Sequence, residues 1–368
     1  MTIASLNAMI LPSECGYRRD DYAPKEFQPE EYQSRYDART LIYDAIHFPG
    51  LRRICLICPK LLNLEALIRT GTFSSSAGNH AISRIWRHKR YDEVWLKCSG
   101  SPDRLRFTHG DLALESGLSA QDKDTFAGLN CAVLKSRDND LKWIHDWADY
   151  HVKVHGLQGL IFFDNDSSQY SPEDVERTLQ SVSGLRQVVV ISAPFSFGPF
   201  ALGKHRHNSV FLQVALLNIA RLRFFRKARA VLTTDLDELV APTPEGSIFE
   251  TTKRSLLGYT LFRGRWRDPA VFDAPSVRHA DHFYRPGEDK CPATKYCICP
   301  GGVFGLSHWE VHGAVRGFLK DAMTSDRVHY WHCRRITTNW KSKRKNADPG
   351  GLAIDEELEA LLGRVYQA

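Results

Sequence analysis

Four short apolar runs, three of them ending in a polar cluster and all separated by stretches of helical spacing, organise residues 129–240. Cys131-Ala132-Val133-Leu134 gives way to Lys135-Ser136-Arg137-Asp138. Leu141, Ile144, Trp147, Ala148 and Val154 then recur at helical spacing, and Gly156 supplies a C-terminal stop. Leu160-Ile161-Phe162-Phe163 ends abruptly at Asp164-Asn165-Asp166. Ser171-Pro172-Glu173-Asp174 has a capping serine, a proline suited to the first helical position and acids suited to the positive helix end. Val188-Val189-Val190-Ile191 is a third apolar run. Val210, Val214, Leu217 and Phe224 mark a longer helix whose last turn is rich in Arg223, Arg226 and Lys227. Ala230-Val231-Leu232 then leads into Asp235. Continuous apolar strands alternating with helices predict an α/β, Rossmann-like, mainly parallel sheet with helices on both faces.

The flanks read differently. Residues 1–40 are polar with scattered Pro, Gly and Tyr, as in an extended arm on the surface. Residues 41–125 carry strand signals at Ile54–Cys58, Glu93–Cys98 and Leu105–Thr108 and a short helical signal at Leu62–Ile68, which suggests a small β-containing domain without readable chemistry. The sheet domain is expected over 126–345, with a tail at 346–368 that holds a short acidic helix.

In parallel α/β sheets ligands bind beyond the carboxyl ends of the strands. Three polar clusters gather there: Lys135, Arg137 and Asp138; Asp164, Asn165 and Asp166; and Asp235, Asp237 and Glu238. The last follows directly on an apolar strand. Carboxylates at i and i+2 in extended backbone point the same way, and two such neighbours repel unless a cation lies between them. Mg²⁺ or Mn²⁺ suits a few carboxylates plus substrate phosphate oxygens.

The run LKWIHDWADYHVKVHGLQGLIFFDNDSS, the segment DLDELV and the later HYWHC…NWKSK resemble glycosyltransferases of the GT-A fold. The resemblance is closest to family 92, once called domain of unknown function 23, and to family-2-like bacterial relatives, and it spans residues 129–345. It implies transfer of a hexose from a nucleotide-diphosphate sugar, UDP-linked, to a glycan or glycolipid acceptor, with inversion and with Mn²⁺ or Mg²⁺ as cofactor. Lys135, Arg137 and Asp138 stand where the family has a Lys-Asn-Glu cluster near the donor; this chain reads Lys-Ser-Arg-Asp instead. Asp164, with Asn165, matches the strand-end acid that approaches the nucleoside. Asp235 and Asp237 match the carboxylates of metal and ribose-diphosphate, and Glu238 the glutamate that follows them, structural or acceptor-facing. Lys295 in KYCICP falls on a strand preceding a site histidine and is assigned to the donor. His312 and His329 compete to complete the metal shell. Lys341, Lys343 and Arg344 are candidate phosphate contacts. Inversion requires a base at the acceptor hydroxyl, for which Glu310 leads and Asp281 and Asp268 compete. Trp266 and Trp309 are either sugar platforms or packing residues.

Composition changes this picture little. The 368 residues carry 49 basic and 43 acidic side chains, a net +6, too balanced to call for a nucleic-acid partner but compatible with an anionic substrate or peripheral contact with acidic lipid. The first residues lack a basic stretch followed by a long apolar run, and nothing approaches the ~18 apolar residues of a membrane span, so a cytoplasmic protein is expected, at most peripheral on the inner face of a membrane. The nine cysteines, including Cys55 and Cys58, are expected as free, mostly buried thiols. A nucleotidyltransferase would carry a Gly-rich loop after its first strand, where this chain has Lys135-Ser136-Arg137-Asp138-Asn139. A non-catalytic binding relative would have a broken acidic motif, and here it is intact.

Overall fold

The computed structural model describes residues 2–269, 277–305, 307–314, 318–337 and 352–366. The chain forms two compact units. The larger holds Met1–Ala4, Asp124–Ser192 and Phe225–Ala368; the smaller holds Ser5–Lys123 and Ala193–Phe224.

The larger unit is built on a nine-stranded sheet. Its strands are β1 (Thr2–Ser5), β2 (Asn130–Ser136), β3 (Gly159–Asp164), β4 (Gln187–Ser192), β5 (Ala230–Thr233), β6 (Glu238–Val240), β7 (Tyr259–Arg267), β8 (Lys290–Ile298) and β9 (Thr324–Cys333). They lie in the order β1-β4-β3-β2-β5-β8-β7-β9-β6. From β4 through β3 and β2 to β5 all neighbours are parallel. Beyond β5 the sheet is mixed: β8 runs antiparallel to both β5 and β7, β7 and β9 are parallel, and β6 closes the far edge antiparallel to β9. The crossover helices α1 (Leu141–His155) and α2 (Pro172–Gln180) fall where the periodicity places them. Ser171 and Asp174 form a reciprocal capping box at the start of α2, and Gly156 ends α1 at φ 67°, a left-handed conformation that glycine adopts without a Cβ clash. Further helices include α3 (Ile248–Arg254) and α4 (Glu356–Tyr366), with the short Phe318–Ala322 between them in sequence. One face of the parallel strands (Ala132, Leu134, Leu160, Phe162, Val188, Val190, Leu232) shares a core with Ile144 and Trp147 of α1, Val175 and Leu179 of α2, Phe249 of α3 and Leu358 and Leu362 of α4. The opposite-facing Cys131, Ile161, Phe163, Val189 and Val231 are buried as well, which explains why these strands read as continuous apolar runs.

The smaller unit has a five-stranded sheet, in the order Ser119–Ala120, Asp44–Phe48, Arg53–Pro59, Tyr91–Lys97, Ile82–Arg87, and a four-stranded one, Leu112–Gly117, Arg104–His109, Thr72–Ser75, Gly78–His80. Ile54, Leu56, Cys58, Val94 and Leu96 pack into its core with Phe73 and Phe107. Two features depart from the sequence reading. Residues 5–40 do more than lie as an arm on the surface: Arg19 is fully buried, and its guanidinium donates to the carbonyls of Lys60 (2.7 Å), Asp37 and Thr40. The helix Leu212–Arg223, expected among the helices of the 126–345 domain, belongs to the smaller unit. Its Arg223 binds Asp44 at 3.1 Å, and Asp44, fully buried, also accepts from Ser119 Oγ (2.7 Å) and the Asn7 N–H (3.0 Å). The helix therefore neutralises an acid on a strand more than a hundred residues earlier, a pairing that helical periodicity does not encode. The cysteines are free and, apart from half-buried Cys15, buried.

Replacing one partner of a buried ion pair leaves the other charge uncompensated, at a cost of about 3 kcal/mol. Arg223→Leu is therefore expected to lower stability in urea denaturation by about 3 kcal/mol, and adding Asp44→Asn to recover much of it. A single variant as stable as the wild type would show that the two hydrogen-bond donors alone carry the Asp44 charge.

Candidate functional site

The site begins with the free edge of β6. In its antiparallel pair with β9, Asp237 and Ala241 bond to the partner through Cys333 N–H to Asp237 O (2.8 Å) and Ala241 N–H to His329 O (3.0 Å). The backbone groups of Glu238 and Val240 therefore point away from the sheet. Four side chains of α1 meet them. Trp147 Nε1–H donates to Glu238 O (3.0 Å), and Tyr150 Oη–H to Val240 O (2.8 Å). His155 Nε2–H donates to the same carbonyl (2.9 Å), while its Nδ1 accepts the Ile248 N–H (3.2 Å). His151 Nδ1–H donates to Trp147 O (2.8 Å), and its Nε2 accepts the Val240 N–H (3.4 Å). These partners fix complementary tautomers, and both rings are neutral. Burial pushes His155 down to about 4 and His151 well below the ordinary histidine range.

Between β5 and β6 the chain turns through Thr234-Asp235-Leu236-Asp237. Glu238 Oε2 accepts the Asp235 N–H at 2.8 Å and so closes the turn. Lys295 of β8, 2% exposed, places Nζ 2.8 Å from Asp235 Oδ2 and 3.0 Å from Glu238 Oε2. His332 of β9 lies opposite Glu238 in register, with Nε2 3.2 Å from Asp237 Oδ2. Asp237, Glu238 and His332 are all buried, and one ligand atom from each lies within 4.8 Å of the others. Burial raises Glu238, which Lys295 opposes. Burial works against the charged form of His332 too, but the Asp237 carboxylate outweighs it and lifts the ring to about 9. Lys295 stays charged despite its burial because Asp235 and Glu238 flank it.

The surroundings hold His332 in place. Trp266 stacks on its ring at 4.3 Å and 22°, the Arg334 guanidinium sits 4.8 Å from the Trp266 ring, and Asp268 anchors Arg334 at 3.1 Å. Cys291 Sγ lies 3.5 Å from His332 Nδ1. Tyr330 packs across Gly264, where a Cβ would meet its ring at 2.6 Å, so only glycine fits. Three carboxylates against Lys295 and protonated His332 leave the cluster one negative charge, and two once His332 gives up its proton. A buried set of two carboxylates and an imidazole with that charge fits a divalent cation.

The structure gathers Asp235, Asp237 and Lys295, with Lys295 spent on Asp235 and Glu238. It adds Glu238 and His332, which the sequence reading did not assign to the metal. His329, one of the expected ligands, is three residues from His332; side chains alternate along a strand, so the two point to opposite faces of β9. The other expected ligand, His312, lies outside the acid–histidine group. It is exposed, and its Nδ1 is 3.0 Å from Thr294 O. The alternation was legible in HYWHC, but the register of β9 against β6 was not.

The donor candidates from β2 and β3 sit along the same carboxyl edge, since Val133 pairs with Thr233 and Ser136 with Asp164. Lys135 is half-buried at the end of β2. Asp164 is 4% exposed; Oδ2 accepts the Ser167 N–H at 3.3 Å, Oδ1 has no partner among the described residues, and burial raises its pKa. Asn165 is buried and its N–H donates to Ser136 O (2.8 Å). Asp138 holds the loop after β3 by accepting the N–H groups of Ser168 (2.6 Å) and Gln169 (3.1 Å), and Arg137 lies 3.9 Å from both Asp138 and Asp166.

Of the base candidates, Glu310 is buried, with His308 at 3.9 Å. Asp281 caps its own short turn by accepting the Arg278 N–H (2.7 Å), and Asp268 is tied to Arg334. Trp309 is fully buried, a packing residue, while half-buried Trp266 stacks on His332 and has the Arg334 guanidinium 4.8 Å from its ring centre. Lys341, Lys343 and Arg344 lie outside the described residues.

No family model matches the chain, and no curated protein matches it. Among solved structures it is similar to the crystal structure of GalNAc-T7 with UDP, GalNAc and Mn²⁺, with a TM-score of 0.34 and 9% identity. The match covers 61% of this chain and 47% of that one, so the chain spans about half the length of the protein it matches.

The neutral histidines of α1 make stability depend on pH. Between about 4 and 6.5 the unfolded chain binds more protons at His155 than the folded one does, so stability rises with pH across this window. Urea midpoints measured at pH 5 and 7.5 are expected to differ, with the lower value at pH 5, and His155→Gln to shrink the difference. Equal shrinkage from replacing a histidine outside α1, such as His109, or none from His155→Gln, would locate the pH dependence elsewhere.

Proposed function

We propose that the chain is a metal-dependent glycosyltransferase of the GT-A type, moving a hexose from a UDP-linked sugar to a glycan or glycolipid acceptor with inversion. The observation that carries this reading is the assembly of Asp237, Glu238 and His332 within 4.8 Å, on the same sheet edge as buried Asp164. Asp237, Glu238 and His332 are the residues to hold Mn²⁺ or Mg²⁺, whose positive charge, when bound, offsets that of a departing nucleoside diphosphate. Lys295 pairs with Asp235 and Glu238 and fixes the turn between them. Asp235, whose side chain is 30% exposed, is the member of the cluster that faces incoming ligand. Asp164, with a buried oxygen lacking a partner among the described residues, is placed to accept from a nucleoside hydroxyl or ring N–H. Glu310, buried beside His308, is the proposed base.

Calorimetric titration with UDP, GDP, ADP and CDP, with and without Mn²⁺, tests this reading. UDP is expected to bind only with the metal, and Asp237→Asn to weaken that binding by at least about tenfold, a loss of ~1.4 kcal/mol, in a protein whose unfolding is otherwise unchanged. A folded wild type that binds no nucleoside diphosphate under either condition overturns the donor-site assignment.

A further inference from the structure

A short chain of hydrogen bonds runs from the Nδ1 side of His332 into the sheet, and a glycine makes room for it. Gly264 of β7 pairs with Cys291 of β8 on one side and with Tyr330 of β9 on the other, so the three share one rung. A Cβ at Gly264 would meet the Tyr330 ring at 2.6 Å and its hydroxyl at 2.8 Å. Without one, the ring crosses β7 and delivers Oη to β8. There the register jumps from Cys291 opposite Gly264 to Thr294 opposite Arg263, so Pro292 and Ala293 fall opposite no residue of β7. Tyr330 Oη–H donates to the Ala293 carbonyl at 3.1 Å. Tyr330 and His332 are two apart on β9 and share a face.

The far end of the chain sets its direction. A backbone carbonyl only accepts, so the single Tyr330 hydroxyl proton goes to Ala293 O. Burial pushes that phenol far above its ordinary range, so the proton stays on it. Buried Cys291 places Sγ 3.8 Å from Tyr330 Oη and 3.5 Å from His332 Nδ1. Towards Tyr330 the thiol therefore donates, and towards His332 its sulfur is left to accept, which puts a proton on Nδ1. Were the thiol to lose its proton beside the ring, the sulfur would still accept, so the direction of this bond does not depend on the charge state of the cysteine. The opposite arrangement, with S–H turned to a bare Nδ1, would withdraw the thiol proton from Tyr330 Oη and set the ring proton on Nε2, where a cation has to sit.

We propose that Cys291 and Tyr330 are positioning residues for a divalent cation: the chain from His332 Nδ1–H through Cys291 Sγ and Tyr330 Oη to Ala293 O commits the ring to the tautomer whose bare Nε2 binds the metal beside Asp237 and Glu238. The inference rests on the reading of Asp237, Glu238 and His332 as a metal site. A metal-bound imidazole ordinarily donates its other N–H to a carboxylate, a backbone carbonyl or water, which fixes its tautomer and orientation. Here a cysteine takes that place. A further carboxylate would add to the repulsion among Asp235, Asp237 and Glu238, which already draw on Lys295 and His332 for compensation, whereas a thiol brings no charge of its own.

Titration of the full chain with Mn²⁺ and no nucleotide, read by the paramagnetic resonance of the free ion, tests the proposal. The wild type is expected to bind, and so is Cys291→Ser, whose hydroxyl also accepts from Nδ1 and donates to Tyr330. Cys291→Val, which does neither, and Tyr330→Phe are expected to bind about 10- to 100-fold more weakly. Thermal unfolding of the metal-free variants confirms that they fold. A second readout uses the unaltered protein, loaded with diamagnetic Mg²⁺ and labelled with ¹⁵N-histidine. Its His332 ring, assigned by its absence from His332→Gln, is expected to carry a proton on Nδ1 alone. Equal Mn²⁺ binding by the wild type and Cys291→Val, a loss in Cys291→Ser as large as in Cys291→Val, or a loaded ring protonated on Nε2 overturns the positioning role and leaves the metal site standing. A wild type that takes up no Mn²⁺ overturns both.

Discussion

An edge strand cannot leave buried carbonyls pointing at nothing, and that constraint organises the larger unit. β6 is only three residues long and pairs on one side alone. Its outward groups on Glu238 and Val240 would each cost about 1–3 kcal/mol if buried without partners. Trp147, Tyr150, His151 and His155 meet them from a single face of α1, at the 3- and 4-residue spacing that a helix presents. The clamp sits directly behind the acidic turn. Glu238 contributes its backbone carbonyl to Trp147 and its carboxylate to Lys295 and the Asp235 amide, so the helix that finishes the sheet also sets the height of the acids above it.

The second constraint is charge. Three carboxylates within one turn do not coexist in a buried place unless cations share it. Lys295 answers for Asp235 and Glu238, and His332 for Asp237. The two cations differ in kind. Lys295 is flanked by two acids and stays charged, a permanent part of the turn. The His332 proton is held mainly by one carboxylate, and the nitrogen that carries it is the one a metal would take. The acids are thus paired with charges from the chain itself, and one of those two charges is exchangeable.

How much of this was legible in the sequence follows from the range of each interaction. The β-α-β rhythm of residues 130–192 is local, and the runs ending at Leu134, Phe163 and Ile191 fall on β2, β3 and β4. The acidic motif was legible because both its strand and its charges are contiguous. What failed to show was long-range. The antiparallel half of the sheet depends on β8 inserting between β5 and β7, which no periodicity announces. The helix Leu212–Arg223 has the same apolar spacing wherever it packs, and its place is fixed by Arg223 meeting Asp44. The choice of His332 over His329 rests on register against β6. The Trp147, Tyr150 and His151 positions stood out in the sequence as part of a motif, but their purpose, completing a strand some ninety residues later, appears only when α1 and β6 are seen together.

The stack around His332 carries the argument one step further. A histidine whose ring is free to rotate offers its nitrogens to any neighbour. Here Trp266 covers one face, Cys291 lies at Nδ1 and Asp237 at Nε2, while Arg334, itself fixed by Asp268, sits 4.8 Å from the Trp266 ring centre. The ring plane is therefore set by packing, and Nε2 is aimed at the acids before any ligand arrives. The aromatic surface stacked on His332 is therefore engaged in orienting that imidazole.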